Sequence, residues 1–580
     1  MTVQMHRRLK YSDIFSDTSR DLDEYLRPIG KIDLFKAVAF FIKRSTKPNN
    51  FPSAKDLVFD WFANDLKFRD HVMTYLRPDH AILNITSSLR FAELVFNSDY
   101  PVNNNISDAV LERNIFIVYL LFNEQQENEE QAGFSVLPDR KSDNYLSSLF
   151  LCMAYQDYEF NNSDLHNVFI CQVVKSILFF NYLEQRQELE PHLQYFLKEF
   201  KKDTWQEWMK AYLALVSLII FQNNEKYNDI ILPNNDEIEQ NQHFFQMLSL
   251  NDVSLEQDYI SIRSNPLLQV GENHYRIIYD LFLVEKLFKS IQFKFSLDIN
   301  KNIDKQYKLG DFRADHCDKF SEQTLLYTLM ERSFPKKWIH ISGVKFKTAG
   351  FNNAEPDYYL RNGNKIFLFE SKDVILKGEE KQSRDFQVLS NALKSKFYFS
   401  VDKNERTENK AVLQLMTNIY RILQNEYSAI DVINPANIRI YPIIVTHDRQ
   451  FDSMGVNKLV SEWFNNELNS ESKWNLCKQH KSQIFPPTII NIDTFILYHD
   501  LLKCRTKLIF EELISRYHEQ ADISRLRNKS MSQEVFNSKV QQSLISFQAY
   551  LDDIVLKKGM VKFPSIAEDY LAKLSDHFKE

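Results

Sequence analysis

The stretch EPDYYLRNGNKIFLFESKD (residues 355–373) decides the fold of the C-terminal half of the chain. Two runs rich in aromatic and branched aliphatic residues flank RNGN, and Asn362-Gly363 is a strong hairpin signal because both central turn residues accept positive φ. A two-residue turn at this position sets Asp357 beside residues 367–369. The pattern therefore predicts an antiparallel hairpin with polar residues at the end remote from its turn.

Polar groups interrupt an apolar row on the second strand of this hairpin. Side chains alternate between the two faces of a strand, so one face carries, in order, Ile366, Leu368, Glu370 and Lys372. Asp357 opens the partner strand and is expected at the same end of the hairpin. Two carboxylates and one amine should therefore lie close together.

The group of Asp357, Glu370 and Lys372 favours the binding of a divalent cation. Two converging carboxylates repel, and keeping both ionised in a partly buried place is costly unless a cation lies between them. Oxygen ligands with open positions suit Mg²⁺ or Mn²⁺, which can polarise a phosphate and lower the pKa of a bound water. Lys372 could orient or deprotonate that water and stabilise charge on phosphorus. The alternative is an exposed Glu370–Lys372 ion pair, which contributes little stability.

The elements around the hairpin follow a definite order. We predict a helix at SEQTLLYTLMERSF (321–334), with Ser321 as its N-cap, and a strand at WIHISGVKF (338–346). After the hairpin and a polar loop, we predict a helix at KAVLQLMTNIYRILQNEY (410–427) and a buried strand at IRIYPIIVTHD (438–448). The order is helix, three strands, helix, strand.

With Pro356-Asp357 on one strand and Glu370-Ser371-Lys372 on the next, residues from about 310 to 450 resemble the PD-(D/E)xK nuclease superfamily. The resemblance implies a restriction-endonuclease-like domain that hydrolyses phosphodiester bonds with Mg²⁺ or Mn²⁺. It implies that Asp357, Glu370 and Lys372 are catalytic and that the two carboxylates bind the metal.

The resemblance also points to residues on the two flanking helices. Members of the superfamily often carry a third acidic metal ligand on the preceding helix, for which Glu322 is the match and Glu331 the weaker choice. Many carry a polar accessory residue on the following helix. Gln414 is the candidate, although its spacing to Tyr420 departs from the Gln-xxx-Tyr variant.

The whole chain is expected to be a multidomain α+β protein, because 580 residues exceed the usual size of one domain. Apolar residues recur every three and four positions up to about residue 260, which predicts a mostly α-helical N-terminal region. We predict four parts: this sensing, regulatory or partner-binding region at 1–260, a connecting strand-helix module at 261–310, a nuclease-like α/β domain with a central mixed sheet at 311–500, and a helical extension at 501–580.

Charge is distributed unevenly along the chain. Residues 301–450 hold 24 Lys and Arg against 19 Asp and Glu, a net of +5, so the remainder carries −12 of the total −7. A basic segment in an acidic chain suits a polyanionic substrate, although ordinary fluctuation is the alternative. The expected nucleic-acid contacts are the basic residues around the hairpin: Lys336, Lys337, Lys345, Lys347, Lys377, Lys381 and Arg384.

The sequence lacks the patterns that are typical of membrane proteins, secreted proteins and several classes of enzyme. It contains no apolar run long enough to span a membrane and no secretory signal pattern, so we expect a cytoplasmic location without membrane partners. The five cysteines form no CxxC pair, which favours neither a disulfide framework nor a thiolate zinc site. Motifs for ATP hydrolysis, serine hydrolases and zinc proteases are lacking.

The leading hypothesis is an endonuclease, with DNA favoured over RNA, which stays open as a substrate. The architecture is similar to effectors of bacterial anti-phage defence. The helical half could contact a protein partner or a second copy of the chain. The alternative is a non-catalytic scaffold or nucleic-acid-binding protein that retains the nuclease fold.

Overall fold

Helices dominate this α+β protein, and one mixed sheet of five strands lies in its C-terminal half. The computed structural model describes residues 7–17, 19, 21–45, 54–134, 136–138, 145–156, 158–161, 164–221, 228–251, 259–351, 355–402, 404–469, 473–522 and 532–577. Within these ranges, no helix combines the length and hydropathy that crossing a bilayer requires.

The first half of the chain is built from helices, as its apolar spacing predicts. Those before residue 320 are α1 (Tyr11–Ile14), α2 (Leu22–Leu26), α3 (Lys31–Ser45), α4 (Ala54–Trp61), α5 (Leu66–Met73), α6 (Ile85–Asn97), α7 (Asp108–Phe134), α8 (Tyr145–Ala154), α9 (Tyr158–Asn161), α10 (Leu165–Glu184), α11 (Glu190–Glu199), α12 (Trp205–Phe221), α13 (Ile238–Gln246), α14 (Ile260–Ser264), α15 (Asp280–Glu285), α16 (Lys289–Phe293), α17 (Asn300–Asn302) and α18 (Phe312–Asp315).

The second half alternates helices with the strands of the main sheet. Its helices are α19 (Tyr327–Ser333), α20 (Gly343–Thr348), α21 (Gly378–Gln382), α22 (Phe386–Phe397), α23 (Ala411–Leu423), α24 (Val456–Asn469), α25 (Asn475–Gln479), α26 (Ile492–Lys503), α27 (Phe510–Ala521), α28 (Gln533–Ser543), α29 (Phe547–Lys557) and α30 (Ser565–His577). Segments Lys294–Ile299 and His316–Leu326 are π-helical.

The strands form one large sheet and three small ones. In chain order they are β1 (Arg7–Arg8), β2 (His80–Ala81), β3 (Asp229–Ile231), β4 (Leu267–Gly271), β5 (His274–Ile277), β6 (Ile339–Ser342), β7 (Tyr358–Asn362), β8 (Lys365–Lys372), β9 (Phe399–Val401), β10 (Thr407–Asn409), β11 (Arg439–Thr446) and β12 (Thr488–Asn491). The large sheet has the order β12-β11-β8-β7-β6. Strands β6, β7 and β8 run antiparallel, and β8, β11 and β12 run parallel.

The hairpin between β7 and β8 turns one residue later than the sequence predicts. Asn362 pairs with Lys365, so the two turn residues are Gly363 and Asn364, and Gly363 takes the positive φ of 61°. This shift matters because continuing the register by one residue sets Asp357 opposite Glu370. The prediction had placed Asp357 one step short of that position.

Three further predictions about local structure are wrong. Ser321 is not an N-cap, because the helical run begins at Phe312 after Asp311, whose carboxylate accepts the Ala314 amide hydrogen. The predicted strand 338–346 is too long, because β6 ends at Ser342, which pairs with the first residue of β7. The helix α20 follows directly. The expected polar loop before residue 410 contains α21, α22 and the hairpin of β9 and β10.

The main sheet separates two apolar cores. One face of the sheet, which carries Phe367 and Phe369, packs into a core whose residues come from nearly the whole chain, from Leu9 to Leu574. Its other face, with Ile366 and Leu368, packs against α22, α23 and α24. The first core crosses the predicted limits at residues 260, 310 and 500, and those limits stay predictions.

Candidate functional site

The candidate site lies at the end of β7 and β8 remote from their turn. The Ser371 amide donates a 2.6 Å hydrogen bond to Asp357 Oδ2, which fixes this carboxylate against β8. Lys372 Nζ lies 3.5 Å from Glu370 Oε2. Glu370 is 1 % exposed, whereas Asp357 and Lys372 are half-buried. The strand alternation and the tight hairpin thus bring the three predicted residues together.

The preceding helix adds Glu322 to this group. The Tyr327 hydroxyl donates to Glu322 Oε1 at 2.8 Å and so orients the carboxylate. A Cβ atom at Gly343 would lie 3.3 Å from both Glu322 Oε1 and the Asp357 carbonyl oxygen. The lack of a side chain at Gly343 therefore lets the helix carboxylate approach the start of β7. Glu331, the weaker candidate, lies farther along the helix, where its charge acts on His340 and Tyr358.

Negative charge dominates the site and shifts every pKa in it upwards. Burial and the neighbouring Asp357 raise the pKa of Glu322 to about 8 and that of Glu370 well above its usual range. Burial also raises the pKa of Asp357, against the opposing effects of Lys372 and the Ser371 amide. Burial disfavours the Lys372 ammonium, but Glu370 and Asp357 outweigh it and raise its pKa. Two cations oppose these upward shifts: Lys372 acts on Asp357 and Glu370, and the exposed Lys347 acts on Glu322 and Asp357.

The donor set fits a hydrated Mg²⁺ or Mn²⁺ ion. Carboxylate oxygens are the ligands these ions prefer, and Mg²⁺ commonly takes one or two carboxylates and keeps several waters. Glu322, Asp357 and Glu370 do not bring three ligating atoms within 4.8 Å of one another. Direct ligation by two carboxylates, with water on the remaining positions, is therefore the arrangement that the geometry accommodates.

In the described part of the chain, the three side chains whose ligating atoms do meet within 4.8 Å are His316, Cys317 and Asp373. Their mixed nitrogen, sulfur and oxygen donors do not suit Mg²⁺. Asp373 already accepts hydrogen bonds of 2.5 Å from Arg313 and from the Ser321 hydroxyl. These contacts hold the segment after β8 against the helix. Ser321 is therefore buried at the contact between the two.

The residue on the following helix that touches the site is Asn418, which the sequence did not single out. Its Nδ2 donates to Glu370 Oε1 at 3.3 Å, and the Tyr427 hydroxyl donates to its Oδ1 at 2.5 Å. Gln414, the predicted accessory residue, lies one turn earlier, and its buried Oε1 has no hydrogen-bond partner among the described residues. The four-residue spacing from Gln414 to Asn418 is the signal that could have found it.

Three of the predicted nucleic-acid contacts are placed to serve that role. Lys345 and Lys347 are exposed on α20, which follows β6 at the end of the sheet near Asp357. Lys347 Nζ lies 3.3 Å from Glu355 Oε1, and Lys377 is exposed before α21. Their exposed cations leave a phosphate backbone free access to them.

The other four predicted contacts are not so placed. Lys336 and Lys337 precede β6, whose first residue faces Arg361 at the turn end of the hairpin, so they lie at the opposite end of the sheet. Lys381 and Arg384 are 2 % and 7 % exposed. Glu159 binds Lys381, and Glu130 lies 2.8 Å from Arg384. Burial and internal ion pairing remove both side chains from the surface, which corrects the prediction.

Comparison of the chain with family models, curated proteins and solved structures finds no match. The geometry and electrostatics of the site are therefore the only indications of what the chain does.

Proposed function

We propose that the chain is a metal-dependent endonuclease of the PD-(D/E)xK type that cleaves DNA with Mg²⁺ or Mn²⁺. The observation that carries this proposal is the gathering of Asp357, Glu370 and Lys372 at one end of the hairpin, with Glu322 beside them. The strand order β11-β8-β7-β6, with β11 parallel to β8 and helices before and after the hairpin, resembles a restriction-endonuclease-like domain and supports the same proposal.

Each side chain has a distinct role in the proposed reaction. Asp357 and Glu370 would hold the metal, with Glu322 as the third carboxylate. When bound, the ion would polarise the scissile phosphate and lower the pKa of the attacking water. The Ser371 amide orients Asp357, and Asn418 orients Glu370. Lys372, whose Nζ lies beside Glu370, would as an ammonium stabilise the charge that develops on phosphorus.

A non-catalytic scaffold is the second candidate, and one observation favours it. The contact between Lys372 and Glu370 gives the buried carboxylate an internal counter-ion, so a retained fold could persist without a metal. Such a protein would bind nucleic acid in the presence and absence of Mg²⁺ and would release no product.

The test is incubation of the purified full-length chain with plasmid, linear duplex, single-stranded DNA and RNA, in Mg²⁺, Mn²⁺ or EDTA. We expect DNA cleavage that needs the metal and disappears in Asp357→Asn and Lys372→Met. The matched controls are Asp553→Asn and Lys557→Met, which remove an exposed pair on α29 with a 2.6 Å contact. Cleavage that survives in both site variants overturns the assignment, and binding without product supports the scaffold.

A further inference from the structure

A second group of carboxylates surrounds a cavity that the proposed active site does not use. The cavity measures about 60 Å³ and is lined by Asp164, Asp452, Asp493 and Asp552 among other residues. A space of this size exceeds the roughly 10–15 Å³ that one water molecule occupies by the same measure. It therefore has room for an ion together with some of its water.

Four separate parts of the fold supply these carboxylates. Asp164 caps the N-terminus of α10, Asp452 lies in the turn after β11, Asp493 begins α26 just after β12, and Asp552 lies on α29. The cavity thus lies where the helical N-terminal half, the main sheet and the C-terminal helices meet.

Asp452 is the side chain that points to a missing partner. It is 7 % exposed, yet no hydrogen bond or ion pair joins its carboxylate to another described residue. Burial and the neighbouring Asp493 raise its pKa well above the usual range, although Arg449 opposes this. A buried, unpartnered carboxylate is costly and calls for a compensating cation.

The neighbouring carboxylates have partners that leave room for a further ligand. Asp493 lies 2.5 Å from Lys175 Nζ, and Asp552 accepts the Tyr498 hydroxyl hydrogen. Burial raises the pKa of Asp552 to about 6, so its charge is only partly compensated. The lining therefore carries more negative than positive charge.

We propose that this cavity is a second divalent-cation site, in which Asp452 and Asp552 bind a partly hydrated Ca²⁺, Mg²⁺ or Mn²⁺ ion that joins the N-terminal helices to the sheet and the C-terminal helices. The carboxylates offer oxygen atoms as ligands, which suit these hard ions. Among the residues that the structure describes, no three acidic side chains around the cavity bring ligand atoms within 4.8 Å of one another, so waters would complete the coordination. The site is independent of the nuclease proposal, because its residues lie outside the active centre.

The test is isothermal titration calorimetry of CaCl₂, MgCl₂ and MnCl₂ into the EDTA-treated full chain that carries Asp357→Asn, which disables the proposed active centre. We expect one ion to bind and to raise the melting temperature. Loss of even an outer-shell partner weakens metal binding about 10- to 100-fold, so Asp452→Asn and Asp552→Asn should each weaken it at least tenfold. Asp553→Asn, the adjacent residue on α29, should leave it unchanged.

Two outcomes overturn the proposal. Affinity and stoichiometry that are equal in the parent and in Asp452→Asn contradict it, and so does saturation by spermidine in place of the divalent ions. If Asp452→Asn fails to fold, the comparison of Asp552→Asn with Asp553→Asn decides the question by the same readout. Binding is measured directly, so a lack of nuclease activity does not affect the result.

Discussion

Two buried clusters of charged residues lie near the ends of β8 and β11, and they differ in how far positive charge balances negative charge. In the first, which we call the balanced cluster, Glu159 is 2 % exposed and is surrounded by three cations: Arg263, Lys289 and Lys381. Burial alone would raise the pKa of Glu159, but these cations outweigh it and hold that pKa well below its usual range. Positive charge here compensates negative charge from within the chain.

In the second cluster, three carboxyl groups face Lys372 and, at the surface, Lys347, and burial raises the pKa values of all three. Comparable burial therefore gives opposite shifts, and the sign depends on whether the chain supplies enough counter-charge. Burial of acidic groups alone therefore does not indicate a metal site, whereas an uncompensated excess of them favours the binding of a cation.

The largest expected effect concerns the unbalanced cluster. Replacing Glu370 by Gln removes a proposed metal ligand and should lower Mg²⁺-dependent DNA cleavage about 10³-fold, within the range typical of essential catalytic groups. The free energy of unfolding of the metal-free protein should not fall, because one of three repelling carboxylates is removed. Single-turnover cleavage and urea denaturation measure the two quantities. A large loss of stability without metal would contradict the reading of this cluster as unbalanced.

The same substitution in the balanced cluster should have the reverse outcome. Glu159→Gln removes a carboxylate from Arg263, Lys289 and Lys381, although Arg263 keeps Glu285 and Lys289 keeps Asp448. Breaking a buried pair typically costs about 3–5 kcal/mol. Urea denaturation at pH 7 should therefore show a marked loss of stability. Glu568→Gln, an acidic residue in the first turn of α30, serves as the control. Unchanged stability in Glu159→Gln would show that the cations find water or other partners.

A smaller effect should appear in the pH dependence of stability without metal. The folded-state pKa of Glu322 is about 8, above its ordinary value of 4.5. A carboxyl group with a raised pKa favours folding while it is protonated, so its contribution is present below about pH 4.5 and is lost as pH rises through 8. We expect a decline of about 2–3 kcal/mol between pH 5 and 8, after allowance for partial solvent exposure.

Two comparisons make the pH prediction specific. Glu322→Gln should flatten the decline, because an amide does not ionise. Saturating Mg²⁺ should oppose it, because metal binding favours the ionised carboxylates and strengthens as they lose protons. Thermal melting across this pH range, with EDTA or MgCl₂, measures both. A decline that persists unchanged in Glu322→Gln would assign it to another group.

The smallest expected effect belongs to Asn418, which acts on the site through Glu370. Asn418→Ala removes a hydrogen bond to a charged group, worth about 1.5–3 kcal/mol, and should lower cleavage about tenfold. The Mg²⁺ concentration for half-maximal activity should rise as well, which a purely structural role would not produce. Thr417→Ala, the preceding residue on the helix, is the control. A loss of activity with an unchanged Mg²⁺ dependence would exclude the positioning role.

The sequence predicted those parts of the site that depend on local periodicity. The two-residue alternation of a strand is enough to set Glu370 and Lys372 on one face, and both lie there. The turn was displaced by one residue because Asn-Gly and Gly-Asn are both favourable turn pairs, and in the structure Gly363, as the first turn residue, takes the positive φ. Local rules thus predicted the strands but left the position of the turn uncertain by one residue.

The parts that the sequence missed depend on contacts between distant segments. Lys381 looks like any surface lysine in the sequence, yet its partner Glu159 lies 222 residues away and the pair is buried. Asn418 reads as a polar residue on a helix, and only the packing of α23 against β8 brings it to Glu370. Burial at such positions follows from tertiary packing, which periodicity does not report.

The proposed activity requires Asp357 and Glu370 to share a divalent ion at the end of the hairpin. Crystals of the chain grown with MnCl₂ allow this ion to be located by anomalous diffraction at the manganese edge. We expect a manganese peak between these two carboxylates, with Lys372 beside it, and no such peak in Asp357→Asn crystals. An ordered site without a manganese peak between Asp357 and Glu370 would contradict it.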